Sequence, residues 1–292
     1  MSIEMDSTPP VTSAVRRKPA RPSRALDRPL RIAVVLGILL GVLLPLLPLL
    51  VWSVSHGWWF PELLPESLSG RAWQYVFSRG SGVFEALGNS LLISILVCFL
   101  ALLLGVPAGR ALGLYQFRGK RLVEFVILAP LIVPPLAVIM GIHVFFIRSA
   151  LVDTLVGVVI SHLIPALPYM IVVMKSVFTN YDPAYEQQAR SLGAGKYQTL
   201  YRVTLPLVYP GIITGSLFVI LISWSQYILT LLIGGGRVVT LPVLLFSFAT
   251  AGDNALTGAL SVLFLVPAAV ILVLTSKFLT GRSLAIGAAG RV

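Results

Sequence analysis

The sequence predicts an all-α, polytopic membrane protein, and three observations carry that prediction. Of its 292 residues 57% are hydrophobic and only 11% are charged, far from the balance of a water-soluble domain. Six apolar blocks are each long enough to cross a hydrocarbon core of about 30 Å as a helix. When those blocks are threaded alternately, all but Arg71, Arg79, Arg148 and Arg237 of the 22 basic residues fall on one side, which the positive-inside rule makes the cytoplasm. Both termini are then expected to be cytoplasmic. The formal charge of +11 reflects this orientation and not nucleic-acid binding, because the basic residues surround apolar blocks and form no single face.

Residues 1–28 combine Pro9, Pro10, Pro19 and Pro22 with Arg16, Arg17, Lys18, Arg21 and Arg24, and are expected to form a disordered cytoplasmic tail. Residues 29–292 make up the transmembrane domain. Its first span, 30–54, exceeds the apolar core of roughly 7–15 residues of a cleaved signal peptide, and no small-residue cleavage site follows it. Residues 56–88 mix Trp58, Trp59, Trp73 and Tyr75 with Pro61 and Pro65, the aromatic composition of a water boundary, and read as a loop with an interfacial helix. Further spans are expected at 89–112, 122–146, 155–178, 208–233 and 256–278. Pro107, Pro134, Pro135, Pro165, Pro168 and Pro267 lie inside them and predict kinks, whether from ordinary bundle packing or from packing around a cavity.

Residues 181–206 are the one long polar interval between apolar blocks. Asp182 can cap a helix opened by Pro183, where a missing N–H costs nothing. Tyr185, Ala189 and Leu192 then share one stripe, with Glu186, Gln187, Gln188 and Arg190 at the remaining positions. Gly193, Ala194 and Gly195 end that helix and turn the chain. Tyr197, Leu200, Tyr201 and Thr204 restart the helical period, and Pro206 closes it. Two short helices with a glycine elbow make a compact cytoplasmic knob that another protein can grip.

In the fifth span Ser223, Trp224, Ser225, Gln226 and Tyr227 form a polar and aromatic cluster. Polar groups at that depth face a cavity or a partner, so Ser223, Trp224, Gln226 and Tyr227 are candidates for a solute path, the alternative being hydrogen bonding between helices. Other signals are weaker. Gly193-Ala194-Gly195-Lys196 resembles a fragment of a phosphate loop, but Arg190 stands where a glycine is needed and Tyr197 where a hydroxyl should meet magnesium. His143 and His162, without a nearby carboxylate or thiolate, make a poor metal site, and none is expected. The single cysteine, Cys98, lies in an apolar block and excludes an internal disulfide framework. Asp253 reads as a solvated or helix-capping residue, and Gly234–Gly236 as a flexible outer loop. No paired membrane carboxylates or nucleophile elbow suggest catalysis, and the chain is not expected to be an enzyme.

Gln187-Gln188-Ala189-Arg190-Ser191-Leu192-Gly193-Ala194, followed by Val203-Thr204-Leu205-Pro206 and Pro210-Gly211, resembles the EAA loop of bacterial ABC-importer permeases. That signature is Glu-Ala-Ala, three residues, glycine and a later Leu-Pro, and its place between the fourth and fifth of six spans agrees. The resemblance covers about the last two-thirds of the chain. It implies the type I ABC importer permease fold in the bacterial inner membrane. It also implies a dimer of ATP-binding subunits that hold ATP and Mg, a second permease subunit forming a homo- or heterodimer, and an external substrate-binding protein. No cofactor is implied for this chain. Tyr185, Glu186, Gln187, Gln188, Ala189, Leu192, Gly193 and Ala194 would form the coupling loop that docks on the ATPase.

One departure bears on that docking. Gln187 occupies the usual glutamate position, and the carboxylate stands one step earlier at Glu186, about 100° away around a helix. Gln187 offers only a neutral hydrogen bond, weaker than a charge-assisted one, so docking is expected to rest on shape and on Tyr185, Leu192 and Gly193. Gly234-Gly-Gly-Arg-Val-Val-Thr-Leu-Pro242 resembles the branch serving spermidine/putrescine, ferric iron and thiamine, although Glu124 is the only acidic residue in the third to fifth spans, which argues against a polycation. The alternative reading, an ion-coupled secondary transporter or channel subunit, is disfavoured by that scarcity of ionisable groups. In a third reading, a membrane assembly protein without transport, the cluster at Ser223–Tyr227 would be incidental.

Overall fold

The computed structural model describes residues 24–58, 62 and 65–279 of the chain. The expected tail before Arg24, the loop residues Trp59 and Pro61, and the segment after Leu279 lie outside the described residues. The chain divides into a first unit up to Leu47 and a second from Pro48. The first holds α1 (Arg24–Leu43), which begins within the stretch expected to be disordered; Arg24–Arg28 extends the helix into the polar boundary, where free backbone donors can meet water.

α2 (Leu46–Ser53) leads into a two-stranded ribbon, β1 (Ser55–His56) antiparallel to β2 (Ser67–Leu68). The short α3 (Arg71–Phe77) follows, in the loop where an interfacial helix was expected. Then come α4 (Val83–Leu114), α5 (Lys120–Ile132), α6 (Pro135–Arg148) and α7 (Leu155–Thr179). The polar interval forms α8 (Ala184–Ser191), α9 (Lys196–Thr199) and a π-helical turn (Leu200–Thr204). α10 (Leu205–Trp224), α11 (Ile228–Gly234), α12 (Leu241–Thr250) and α13 (Asn254–Leu279) complete the chain. Five helices among the described residues are long and apolar enough to cross a membrane, and α5 with α6 supplies a sixth crossing if the bent pair is one span. The fold is all-α and polytopic.

Its centre is the contact of α7 with α4 and α10. Without a hydrophobic drive between helices in lipid, close approach of backbones holds such a bundle together, and small residues permit it. Gly105, Gly109 and Gly113 of α4, one helical face, lie against Met170, Met174 and Phe178 of α7, each with less space than a methyl group needs. Gly211 and Gly215 of α10 do the same against Val177 and Met170. Met170, Met174 and Phe178 are at most 1% exposed as a result. A second cluster joins Ala72 and Val76 of α3 to Trp224, Leu241, Leu256 and Leu260 near the opposite end of α4.

The structure differs from the expected spans in three places. The third is two helices bent by 99°, because the tandem Pro134-Pro135 removes backbone donors and pushes Val133 out of helical geometry. The fifth stops at Trp224 and resumes at Ile228 instead of running through to 233. His162 of α7, 1% exposed, bridges that break: Nδ1 lies 3.0 Å from Ser223 Oγ and Nε2 2.9 Å from Thr230 Oγ1. One ring nitrogen donates and the other accepts, so a neutral imidazole satisfies a hydroxyl on each side of the interruption. Third, α12 occupies what was expected to be connection; at 10 residues it spans only about 15 Å. Its start is tied to α4 by Ser90 Oγ accepting from Leu241 N at 2.8 Å and by Asn89 Nδ2 donating to Val239 O at 3.0 Å. Gly234–Gly236 makes a tight turn, in which Gly235 at φ +52° faces the Asp153 carboxylate with no room for a side chain.

Gly109→Ala should destabilise the purified chain by about 1–3 kcal/mol through overpacking, read as a lower thermal midpoint in detergent, whereas Gly141→Ala, where a side chain meets nothing, should leave it unchanged or raise it. His162→Ala should cost about 1–2 kcal/mol by removing both hydrogen bonds across the α10–α11 break, with faster hydrogen exchange at Ser225–Ile228 as the local signature.

Candidate functional site

The knob between α7 and α10 forms for local reasons. Asp182 Oδ1 accepts from Ala184 N at 2.9 Å, satisfying one of the free donors at the start of α8. At the other end Gly193 takes φ +86°, Gly193 N donates to Arg190 O at 2.9 Å and Ala194 N to Ala189 O at 3.0 Å, the paired bonds of a Schellman ending. α9 and the π-helical turn then carry the chain into α10.

α8 presents two different faces. Tyr185, Gln187, Gln188 and Leu192 are exposed, Leu192 to 89%, and a shallow groove is lined by Ala184, Gln187, Gln188, Ser191 and Leu192. Ala189 and Ala194 are half-buried, and Gly193 is exposed at the elbow. Glu186 points the other way and is 7% exposed. This corrects the expectation that it belongs with the docking residues: the step of about 100° between neighbours on a helix turns it inward while Tyr185 and Gln187 turn out.

What Glu186 meets explains why a carboxylate is tolerated there. Arg110 Nη2, from the end of α4, lies 2.9 Å from Oε1 and 2.8 Å from Oε2. The Thr204 hydroxyl, from the π-helical turn, donates to Oε1 at 2.8 Å, and the Tyr181 hydroxyl, from the α7–α8 linker, donates to it at 3.1 Å. Arg190, one turn along α8, stands 3.8 Å from Oε2. The Arg110 guanidinium also lies over the Phe178 ring, 5.8 Å from its centroid. Burial works to raise the Glu186 pKa, but the Thr204 hydrogen bond and the Arg110 hydrogen bond and charge outweigh it, so the carboxyl sits below its ordinary value. Because the folded-state pKa is depressed, the stabilisation is complete above the ordinary carboxylate value of 4.5 and is lost as pH falls through the lower folded value. The site is therefore constant across neutral pH. Arg110 is a third exposed, so losing one partner should cost on the order of 2 kcal/mol, less than the ~3–5 of a fully buried pair.

The candidate path residues of the fifth span lie in two settings. Ser223 is buried against His162, and Trp224, 3% exposed, stacks on Phe264 at 5.5 Å and donates Nε1–H to its carbonyl at 3.2 Å. Both are turned inward, because α10 ends beside α7 and α13. Gln226 and Tyr227 remain half-buried in the break, and Tyr227 stacks on Phe246 of α12 at 4.2 Å. The hydroxyls of Ser223 and Thr230 occupy both nitrogens of His162, the histidine considered above for metal. At the opposite end of the bundle Asp253 accepts from Arg71 at 2.8 and 2.9 Å and caps α13 through Leu256 N at 3.0 Å. Arg110 and His162 are the residues that sequence reasoning missed as partners. Arg110 looked like one more cytoplasmic charge, and no local pattern marks either pairing.

The comparisons with known proteins agree with this architecture. Residues 101–282 match the family described as binding-protein-dependent transport system inner membrane component. The chain is 28% identical over 257 residues to the putrescine transport system permease protein PotI of Escherichia coli K12, covering 81% of this chain and 86% of that protein. It is 34% identical over 144 residues to the molybdate/tungstate transport system permease protein WtpB of Pyrococcus abyssi, covering 49% of this chain and 56% of that one. A crystal structure of a bacterial ABC transporter involved in the import of alginate contains a chain that superposes with a TM-score of 0.68 at 22% identity, over 88% of this chain and 99% of that one. The match over most of the bundle, with the knob inside it, places the chain in a family: it belongs to the inner membrane components of binding-protein-dependent transport systems.

Proposed function

We propose that this inner-membrane permease lines the solute path of an ABC importer, is driven by separate ATP-binding subunits docked on the α8 knob, and receives its solute from an external binding protein. The observation that carries the proposal is the two-faced α8, fastened to the bundle through Glu186 while Tyr185, Gln187, Gln188 and Leu192 remain exposed. An apolar side chain 89% exposed, outside the apolar spans, fits a protein partner better than water. Gln187 faces that partner without charge, so docking rests on shape and on neutral hydrogen bonds.

In this reading the α8 end of the bundle is cytoplasmic, as are both termini, and the Arg71–Asp253 end faces outward. ATP and Mg bind in the partner subunits, and a second permease subunit, identical or related, completes the path. Closure of the ATPase pair moves the two knobs, and the helices exchange inward for outward access. The bend between α5 and α6 and the break between α10 and α11 are positions where a helix already changes direction. Glu124, the only carboxylate within helices α5, α6, α7, α10 and α11 themselves, is paired with Lys175 at 2.8 Å, so those helices offer a polycation no free acidic group. Selection of the small solute then falls mainly to the binding protein.

The test is co-expression with the neighbouring genes and purification through a tag on this chain. ATP-binding subunits should be recovered with it, and Leu192→Asp should weaken their retention by about tenfold or more, the effect of removing a central contact. Unchanged retention by that variant, or no ATP-binding partner in either detergent or lipid, would overturn the proposal.

A further inference from the structure

We infer that Arg110 and Glu186 are positioning residues for transport, joining the α8 knob to the membrane bundle so that movement of the knob becomes movement of the helices. The inference rests on the reading that α8 is the docking element. It assigns the loop's one buried carboxylate to an internal joint and gives Arg110, outside the loop, a role in coupling.

Three features support it. First, Glu186 is 7% exposed and points away from the face that carries Gln187 and Leu192, so a partner seated on that face does not reach it. Second, its neighbours come from separate elements: Arg110 from α4, Tyr181 from the linker after α7, and Thr204 from the turn before α10. A single carboxylate thus ties α8 to α4 and to the segments that adjoin α7 and α10. Third, Thr204 lies in a π-helical turn, a local irregularity of helical register found at places where a helix adjusts. α8 otherwise packs on α9 and on that turn. The knob is a short amphipathic piece joined to its neighbours by short non-helical linkers, and a push on it would be absorbed there unless something stiff crosses from it to the bundle. The charge-assisted contacts of Arg110 Nη2 at 2.8–2.9 Å, together with the Thr204 and Tyr181 hydroxyls on Oε1, supply that stiffness, since donors from three separate segments hold one carboxylate.

The experiment uses the complete importer, with ATP-binding subunits and binding protein, in liposomes. Its readouts are retention of the ATP-binding subunits and the number of solute molecules taken up per ATP hydrolysed. Glu186→Gln and Arg110→Gln should retain the ATP-binding subunits while uptake per ATP falls about tenfold, within the usual range of coupling between sites. The exchange Arg110→Glu with Glu186→Arg should recover most of the ratio. Thr204→Val, which leaves no unpaired charge, should lower it by a smaller factor and keeps the inference testable if the charge variants fold poorly. A merely structural role would reduce the amount of intact complex but not uptake per ATP. Wild-type ratios in the single variants and in Thr204→Val would overturn the inference, as would loss of the ATP-binding subunits from Glu186→Gln under conditions where the exchanged pair keeps them no better. Retention of those subunits by Leu192→Asp would instead overturn the docking reading, so the two failures are distinct.

Discussion

Lipid offers the backbone no hydrogen-bond partners and gives apolar helices little reason to associate, so a bundle of this kind is held by how closely its backbones can approach. In this protein the approach is set by Gly105, Gly109 and Gly113 of α4 and by Gly211 and Gly215 of α10, all turned toward α7. Met170, Met174 and Phe178 fill the space thus made and are at most 1% exposed. Arg110 projects from α4 just past Gly109, on the part of the helix that this packing orients, and from there it meets Glu186. The knob's attachment is therefore a consequence of the glycine packing as much as of the ion pair.

Charge placement follows the same economy. The Glu186 carboxylate is buried at the end of the bundle, where its desolvation is offset by a guanidinium, two hydroxyls and a further arginine at 3.8 Å. Arg110 keeps about a third of its surface in water and rests on the Phe178 ring, so the pair is anchored to the core without being wholly withdrawn from solvent. Turning Glu186 inward leaves the outward face of α8 to Gln187, Gln188, Tyr185 and Leu192, none of them charged at neutral pH. One rotation of a short helix divides the loop into a fastening side and a contact side.

Within the bundle, polar side chains mainly repair interruptions. His162 bridges hydroxyls on either side of the α10–α11 break, and Ser90 with Asn89 of α4 captures the chain entering α12. Trp224 gives its indole N–H to a carbonyl of α13. At the start of α12 Ser90 and Asn89 pair backbone groups, whereas at the α10–α11 break His162 pairs a hydroxyl on either side. Gln226 and Tyr227 remain half-buried in the α10–α11 break.

The amino-acid sequence alone determined the features that depend on neighbours along the chain. The length of each apolar block, the crowding of basic residues on one side, the Asp182 cap and the Gly193 elbow are local properties, and α8 with its ending was legible at that level. Pro206, however, does not close a second short helix: α9, the π-helical turn and α10 run on from Lys196 to Trp224. The tandem prolines announced a kink, though not its 99° angle. Only the tertiary structure decided which side chains meet. Arg110 and Glu186 are 76 residues apart, His162 and Ser223 61 apart, and Trp224 and Phe264 40 apart. Whether such residues touch depends on the rotation and crossing of whole helices, which hydropathy does not encode because every face of a membrane helix can be apolar. For that reason hydropathy left Ser223 and Trp224 open between a path and bonding between helices, and did not show that the packing of α4, α7, α10 and α13 turns them and Glu186 inward.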